Sequence, residues 1–173
     1  LVEENSSTGG RRQVLNRISR MNPMDEAVLL CFGEVDIRAH LIKQAELQNK
    51  QIDIVIKDCV DRYINAIKKV KPIRKINKAV FAPIASWSEE KPYEGPSFGT
   101  NLDRNNVTRK FNEYLENQCD ENNFVFISIY KEMLNKDGTT NPDYLDNFGT
   151  GIHLNQQSMP LILRKLKNKG LIS

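Results

Sequence analysis

"VLLCFGEVDIRAH", residues Val28 to His40, decides how the chain is read. The apolar run Ala27 to Phe32 stops at Gly33, and Glu34, Asp36 and Arg38 follow within five positions. A run this short, ended by a glycine, reads as a strand buried on both faces. From about Arg38 to Val70 the apolar residues recur at helical spacing, and Pro72 stops that helix. "KAVFAPIAS", Lys78 to Ser86, is a second strand, followed by a Gly/Pro/aromatic loop from Trp87 to Asp103. A helix near Arg104 to Asn122 leads to a third strand, Phe124 to Ile129. A polar loop then reaches "IHLN" and a last amphipathic helix, Gln156 to Lys169, which Gly170 ends. Strands separated by helices imply βαβ units: an α/β fold with a mostly parallel sheet covered on both faces. Ligands bind such sheets outside the carboxyl ends of the strands. Three features fall there: Gly33 to Asp36, the long loop after Ala85, and the loop carrying His153.

At 173 residues the chain suits a single domain, 1–173. With 39% hydrophobic and 27% charged residues it has the composition of a folded globular protein. No apolar run approaches the roughly 20 residues that span a bilayer, so no membrane span is expected. The chain opens on Leu1 rather than on Met or a signal core, as a processed product or a fragment does. The net charge of +3 is concentrated in "KKVKPIRKINK" (Lys68 to Lys78) and "RKLKNK" (Arg164 to Lys169). These clusters read either as solvated helix ends or as a nucleic-acid footprint. Neither has the interleaved aromatic residues of a stacking platform, and no nucleic-acid partner is expected. Cys31, Cys59 and Cys119 have no paired or metal-type spacing and read as small buried hydrophobes of a reducing, cytoplasmic compartment.

Only two histidines are present. His40 reads as a helix-face residue, whereas His153 sits in a loop just before a capped helix and suits general-base work on a hydroxyl nucleophile. Asp36, between strand and helix, reads as a helix cap or as a substrate contact. Arg38 either pairs with Glu34 or Asp36 to brace the pocket floor or, with them, binds a polar sugar or an anion. Trp87 and Tyr93 form either a stacking wall or plain core. No metal-ligand cluster, cofactor motif or phosphate loop is present, which leaves no cofactor expected and argues against a nucleotide-binding module.

Taken in order, "NSSTGGRRQVLNRI", "VLLCFGEVD", "FNEYLE" and "DNFGTGIHLN" resemble the SGNH, or GDSL-type, hydrolases, from about Asn5 to Lys169. "FGEVDIR" is similar to a subgroup with an FGE-I/V-D-x-R signature. The resemblance implies a flavodoxin-like three-layer α/β/α sandwich and ester hydrolysis, by an esterase or deacetylase acting on a small-molecule or glycan ester. It implies Gly9 or Gly10 and Gly33 as oxyanion-binding positions and His153 as base. Glu34, Asp36, Arg38 and Trp87 become substrate-binding candidates. The family's Gly-x-Asn-Asp matches Gly33-Glu34-Val35-Asp36, with Val35 in place of the oxyanion-binding asparagine. Its Asp-x-x-His matches with Thr150 in place of the acid, and Asp146 is the nearest carboxylate before His153. Asp146 reaches the imidazole only if the loop folds back. A Gly-Asp-Ser nucleophile motif is expected upstream of Leu1, with Ser6 and Ser7 as lesser substitutes. A non-catalytic member that binds glycan or a protein partner is the alternative.

Overall fold

The computed structural model describes residues 16–17, 27–69, 77–87, 95–146 and 151–173. The apolar run before Gly33 forms β1 (Ala27–Cys31), which pairs in parallel with β2 (Asn77–Phe81). Strand β2 pairs in parallel with β3 (Val125–Ile127), giving the order β1-β2-β3. Because successive side chains of a strand face opposite ways, the sheet sorts its apolar residues into two cores.

Leu30, Val80 and Phe126 face α2 (Ile52–Lys69) and α3 (Asn101–Glu121), meeting Val60, Ile64, Phe111 and Leu115. Ala79, Phe81 and Ile127 face the other way, toward Met133, Leu145 and the half-buried Leu161, Ile162 and Leu166 of α4 (Met159–Asn168). The result is the expected α/β/α sandwich of flavodoxin-like type. Both crossovers step the same way along the sheet, so right-handed connections put α2 and α3 on one face. There Lys110 meets Asp53 at 2.7 Å and the Tyr114 hydroxyl donates to Asp61 at 2.9 Å. Each fully buried Val, Leu or Ile in these cores contributes about 1.5–3 kcal/mol.

The elements differ in detail from the expectation. The helix expected from Arg38 to Val70 is two helices. A π-helical segment, Asp36–Leu41, runs into α1 (Ile42–Leu47), and α2 begins afresh at Ile52. Asn49 has a positive φ of 49°, and the N–H groups of Asn49 and Lys50 bond to Glu46 and Ala45 at 3.1 and 3.0 Å. That pairing is a Schellman stop, with asparagine where glycine is commoner. Strand β2 ends at Phe81 rather than Ser86, because Pro83 has no N–H for the ladder. Helix α3 starts three residues earlier than Arg104, at Asn101, where Thr100 and Asp103 form a capping box. Of the cysteines, Cys119 is buried and Cys59 partly so, but Cys31 is exposed, on the face of β1 turned away from Leu30.

A buried polar cluster holds the chain that leaves β2. The Asn105 amide accepts from the Ser86 N–H at 2.9 Å and donates to Gly138 O at 3.1 Å and Thr140 Oγ1 at 3.0 Å. Arg104, also buried, donates to Ser86 Oγ at 2.7 Å and to Gly99 O, and its guanidinium stacks over Trp87 at 4.3 Å. Trp87, half-buried, thus packs against the second core.

Candidate active site

At the carboxyl end of β1 the chain must turn sharply to enter the π segment. Gly33 does so at φ 99°, and a Cβ there would lie 2.8 Å from Pro83 Cγ and 3.2 Å from the Phe111 ring. Only glycine allows both that conformation and that approach. Its carbonyl accepts from the Ile37 N–H at 3.0 Å, so the backbone is already helical before Asp36. Val35, at φ −63° and ψ −38°, is itself helical, so Asp36 lies within the helix and is not its cap. Asp36 instead lines a cleft of about 980 Å³.

That cleft gathers the carboxyl ends of β1 and β2 and the His153 loop. Gly33, Glu34, Val35, Asp36, Pro83 and His153 all contribute to its wall. Pro83 is held by its carbonyl, which accepts from the Asn112 amide at 2.9 Å. Val35 is 51% exposed in the cleft and offers no donor, as its aliphatic side chain dictates. Glu34 accepts from Arg38 Nε at 2.7 Å, while Arg38 also donates to Pro96 O at 3.0 Å and accepts from the Phe98 N–H at 3.0 Å. Arg38 is therefore a buried strut between the turn after β1 and the 95–100 loop. It and Trp87 stand apart from the cleft wall.

The loop bearing His153 does fold back. Leu145 and Leu154 form an antiparallel bridge, in which the Asp146 N–H donates to His153 O at 2.8 Å and the Asn155 N–H to Tyr144 O at 3.0 Å. This bond pattern makes Asp146 and His153 directly opposed neighbours, whose side chains leave the ribbon on the same face. The Asn155 amide clamps the ribbon by donating to Asp143 O at 2.6 Å and Leu145 O at 3.0 Å. Its carbonyl oxygen accepts from the Gln157 N–H at 2.9 Å, starting the turn into α4. His153 is exposed at the cleft, and Asp146 is half-buried.

The cleft also holds His40, expected as a helix-face residue, and Cys59, expected as a small buried hydrophobe, together with Arg62, Tyr63 and Phe111. Burial, then the Asp36 charge, pushes the Cys59 thiol up to about 11. Burial also raises the Tyr63 phenol, which meets Phe32 edge-on at 4.8 Å. The signal for His40 was its place four residues after Asp36, which puts both on one helix face. Gly9, Gly10, Ser6, Ser7, Tyr93 and Thr150 lie outside the described residues. Among the described residues no three His, Cys, Asp or Glu side chains cluster as metal ligands, and no helix is long and apolar enough to cross a membrane.

No family model and no curated protein matches the chain by sequence. Solved structures do match by shape. Est24, a carbohydrate acetylesterase from Sinorhizobium meliloti, has a TM-score of 0.53 and 16% identity, over 99% of this chain and 73% of that one. A second crystal structure has a TM-score of 0.53 and 12% identity, over 93% of this chain and 67% of that one. At such identities the likeness is one of fold: the chain shares its α/β architecture with a hydrolase.

Proposed function

We propose that this chain forms the acid–base half of an SGNH-type ester hydrolase, an esterase or deacetylase, in which His153 is the base and Asp146 orients it. The observation that carries this reading is the ribbon that opposes Asp146 to His153 at the edge of the cleft. In the proposed reaction a serine hydroxyl, expected upstream of Leu1, attacks the ester carbonyl while His153 takes its proton. The resulting oxyanion is met by backbone N–H groups at Gly33 and at Gly9 or Gly10. Protonated His153 then returns the proton to the departing alkoxide, and water repeats the sequence on the acyl-serine. Asp146 stabilises the imidazolium and fixes its tautomer.

The fold shared with a carbohydrate acetylesterase supports this reading, and a small-molecule ester fits a cleft of about 980 Å³. The test uses the full-length protein, including whatever precedes Leu1, with 4-nitrophenyl acetate as substrate. His153→Ala abolishes turnover, and Asp146→Asn lowers kcat by a factor on the order of 10⁴. Unaltered turnover in His153→Ala overturns the assignment.

A second reading has its own observation. Val35 puts an apolar group where an oxyanion donor belongs, a loss of about 3–4 kcal/mol of transition-state stabilisation. A non-catalytic domain that binds glycan or a partner through the same cleft accounts for that substitution. Ester hydrolysis sensitive to a serine-directed inhibitor excludes it.

A further inference from the structure

A second recess, of about 580 Å³, lies between the π segment with α1 and the face of α2. Asp36, His40, Gln44 and Gln48 form one wall, and Asp58 and Arg62 stand opposite. Asp36, His40, Cys59 and Arg62 line this groove and the main cleft alike, so the two are continuous. We propose that the groove is a subsite for a neutral polyhydroxylated group, the alcohol portion of an ester whose acyl end sits beside His153. This deepens the ester-hydrolase reading and rests on it for the position of the acyl group.

Backbone geometry aligns the first wall. Residues four apart drift around an α-helix, which has 3.6 residues per turn. The π segment's turn is wider, closed by i→i+5 bonds, and drifts the other way. Joining Asp36–Leu41 in π form to Ile42–Leu47 in α form therefore keeps Asp36, His40 and Gln44 on one side. A π turn is rare and recurs at functional sites.

The polar groups of the groove are largely left for a ligand. Gln48 donates to Gln44 Oε1 at 2.8 Å, which leaves the Gln44 amide N–H groups and the Gln48 oxygen to face outward partners. Arg62 and Asp58 have the i, i+4 spacing at which Arg109 and Glu113 form an ion pair at 2.9 Å. Arg62 instead donates Nε to the Asp58 backbone carbonyl at 3.1 Å, so that among the described residues its terminal nitrogens and the Asp58 carboxylate are both left for a ligand. Two carboxylates, one guanidinium, one imidazole and two amides mix donors and acceptors at nearly balanced charge. That mixture matches vicinal hydroxyls, which donate and accept at once. Two carboxylates in the wall disfavour a phosphate or another anion.

The test separates this subsite from the ester-hydrolase reading. Cellobiose, a neutral disaccharide that carries no ester, is titrated into the protein. Side-chain NMR signals of Gln44, Gln48 and Arg62 are followed, with inorganic phosphate as the contrasting probe. Cellobiose is expected to give saturable shifts at those signals with a millimolar Kd, and in Gln44→Ala/Asp58→Ala the Gln48 and Arg62 signals report a Kd weakened about tenfold. Phosphate is expected to leave them in place. Absence of saturable shifts, an unchanged Kd in the double variant, or a response to phosphate alone overturns the subsite. In turnover, the double variant lowers kcat/KM for acetylated cellobiose relative to 4-nitrophenyl acetate, again about tenfold. If cellobiose binds as described but no ester is hydrolysed, the ester reading fails and the subsite stands. If esters are hydrolysed and cellobiose does not bind, only the subsite fails.

Discussion

Replacing Gly33 by alanine tests the joint between β1, β2 and α3 more directly than any other single change. Two costs combine there. An L residue at φ 99° carries strain of about 1–3 kcal/mol. A methyl 2.8 Å from Pro83 Cγ and 3.2 Å from the Phe111 ring adds overpacking of about 1–3 kcal/mol, because both neighbours are buried and backed by core. Gly170→Ala supplies the control. It also has a positive φ, 65°, but an added Cβ meets nothing within 4 Å, so only conformational strain of about 1–2 kcal/mol applies. Both alanines restrict the unfolded chain equally, and the difference between them reports the packing cost together with the extra strain of φ 99° over φ 65°. With an m-value near 2 kcal/mol/M in urea, the midpoint of Gly33→Ala falls by about 1–3 M and that of Gly170→Ala by less than about 1 M. Equal midpoints for the two variants would refute the reasoning that Pro83 and Phe111 are pressed against an obligatory glycine.

Three further outcomes follow from the packing. Asn105→Leu, the same in heavy-atom branching but bulkier, strands the Ser86 N–H and the Gly138 carbonyl; at about 1–3 kcal/mol per orphaned group, calorimetry should show one of the largest single-site losses in the chain. Thr100→Ala removes the cap of α3 and costs about 1 kcal/mol, a drop of about 2–4 °C in Tm. Its hydrogen bonds from Thr100 hold the Asp103 carboxyl below the ordinary range; the box therefore stabilises the fold above about pH 4 and loses that contribution as pH falls through the depressed value, closing the gap between Thr100→Ala and the unaltered protein in acid. Cys119 is buried and its thiol is pushed up to about 12, first by burial and then by Asp120 and Glu116, so mass spectrometry should find its alkylation by iodoacetamide limited by unfolding and accelerated by sub-denaturing urea.

Much of this architecture was legible because hydrophobic period and glycine placement act locally. The run before Gly33, the run before Pro83 and the alternation with helices were enough for a parallel α/β sheet. What escaped depended on backbone events that composition does not mark. Asn49 in the left-handed region divides one expected helix into two, and asparagine there carries no sign distinguishing it from a surface residue. The capping box of Thr100 and Asp103 was readable, yet it was hidden inside a stretch taken for loop. Among the site residues, Gly33, Glu34, Asp36 and His153 do meet in one cleft. Arg38 and Trp87 do not join them, since each satisfies partners elsewhere: Glu34 and Pro96 for the first, Arg104 and the second core for the other. The places of His40, expected only as a helix-face residue, and of Arg62 in the cleft wall come from the π turn and from α2 lying alongside it, neither of which is local.

The ribbon that opposes Asp146 to His153 changes what kind of information would define the proposed acid–base pair. When acid and base lie on one short turn, the number of residues between them is the constraint, and an insertion separates them. Here the constraint is position relative to one antiparallel bridge, anchored by Leu145, Leu154 and the Asn155 clamp. A change in the number of residues between Asp146 and His153 on the far side of the bridge leaves their opposition set by its hydrogen bonds, whereas one residue added between Asp146 and the bridge turns that side chain to the other face. In such a ribbon, parity governs whether the two groups meet and linear distance does not.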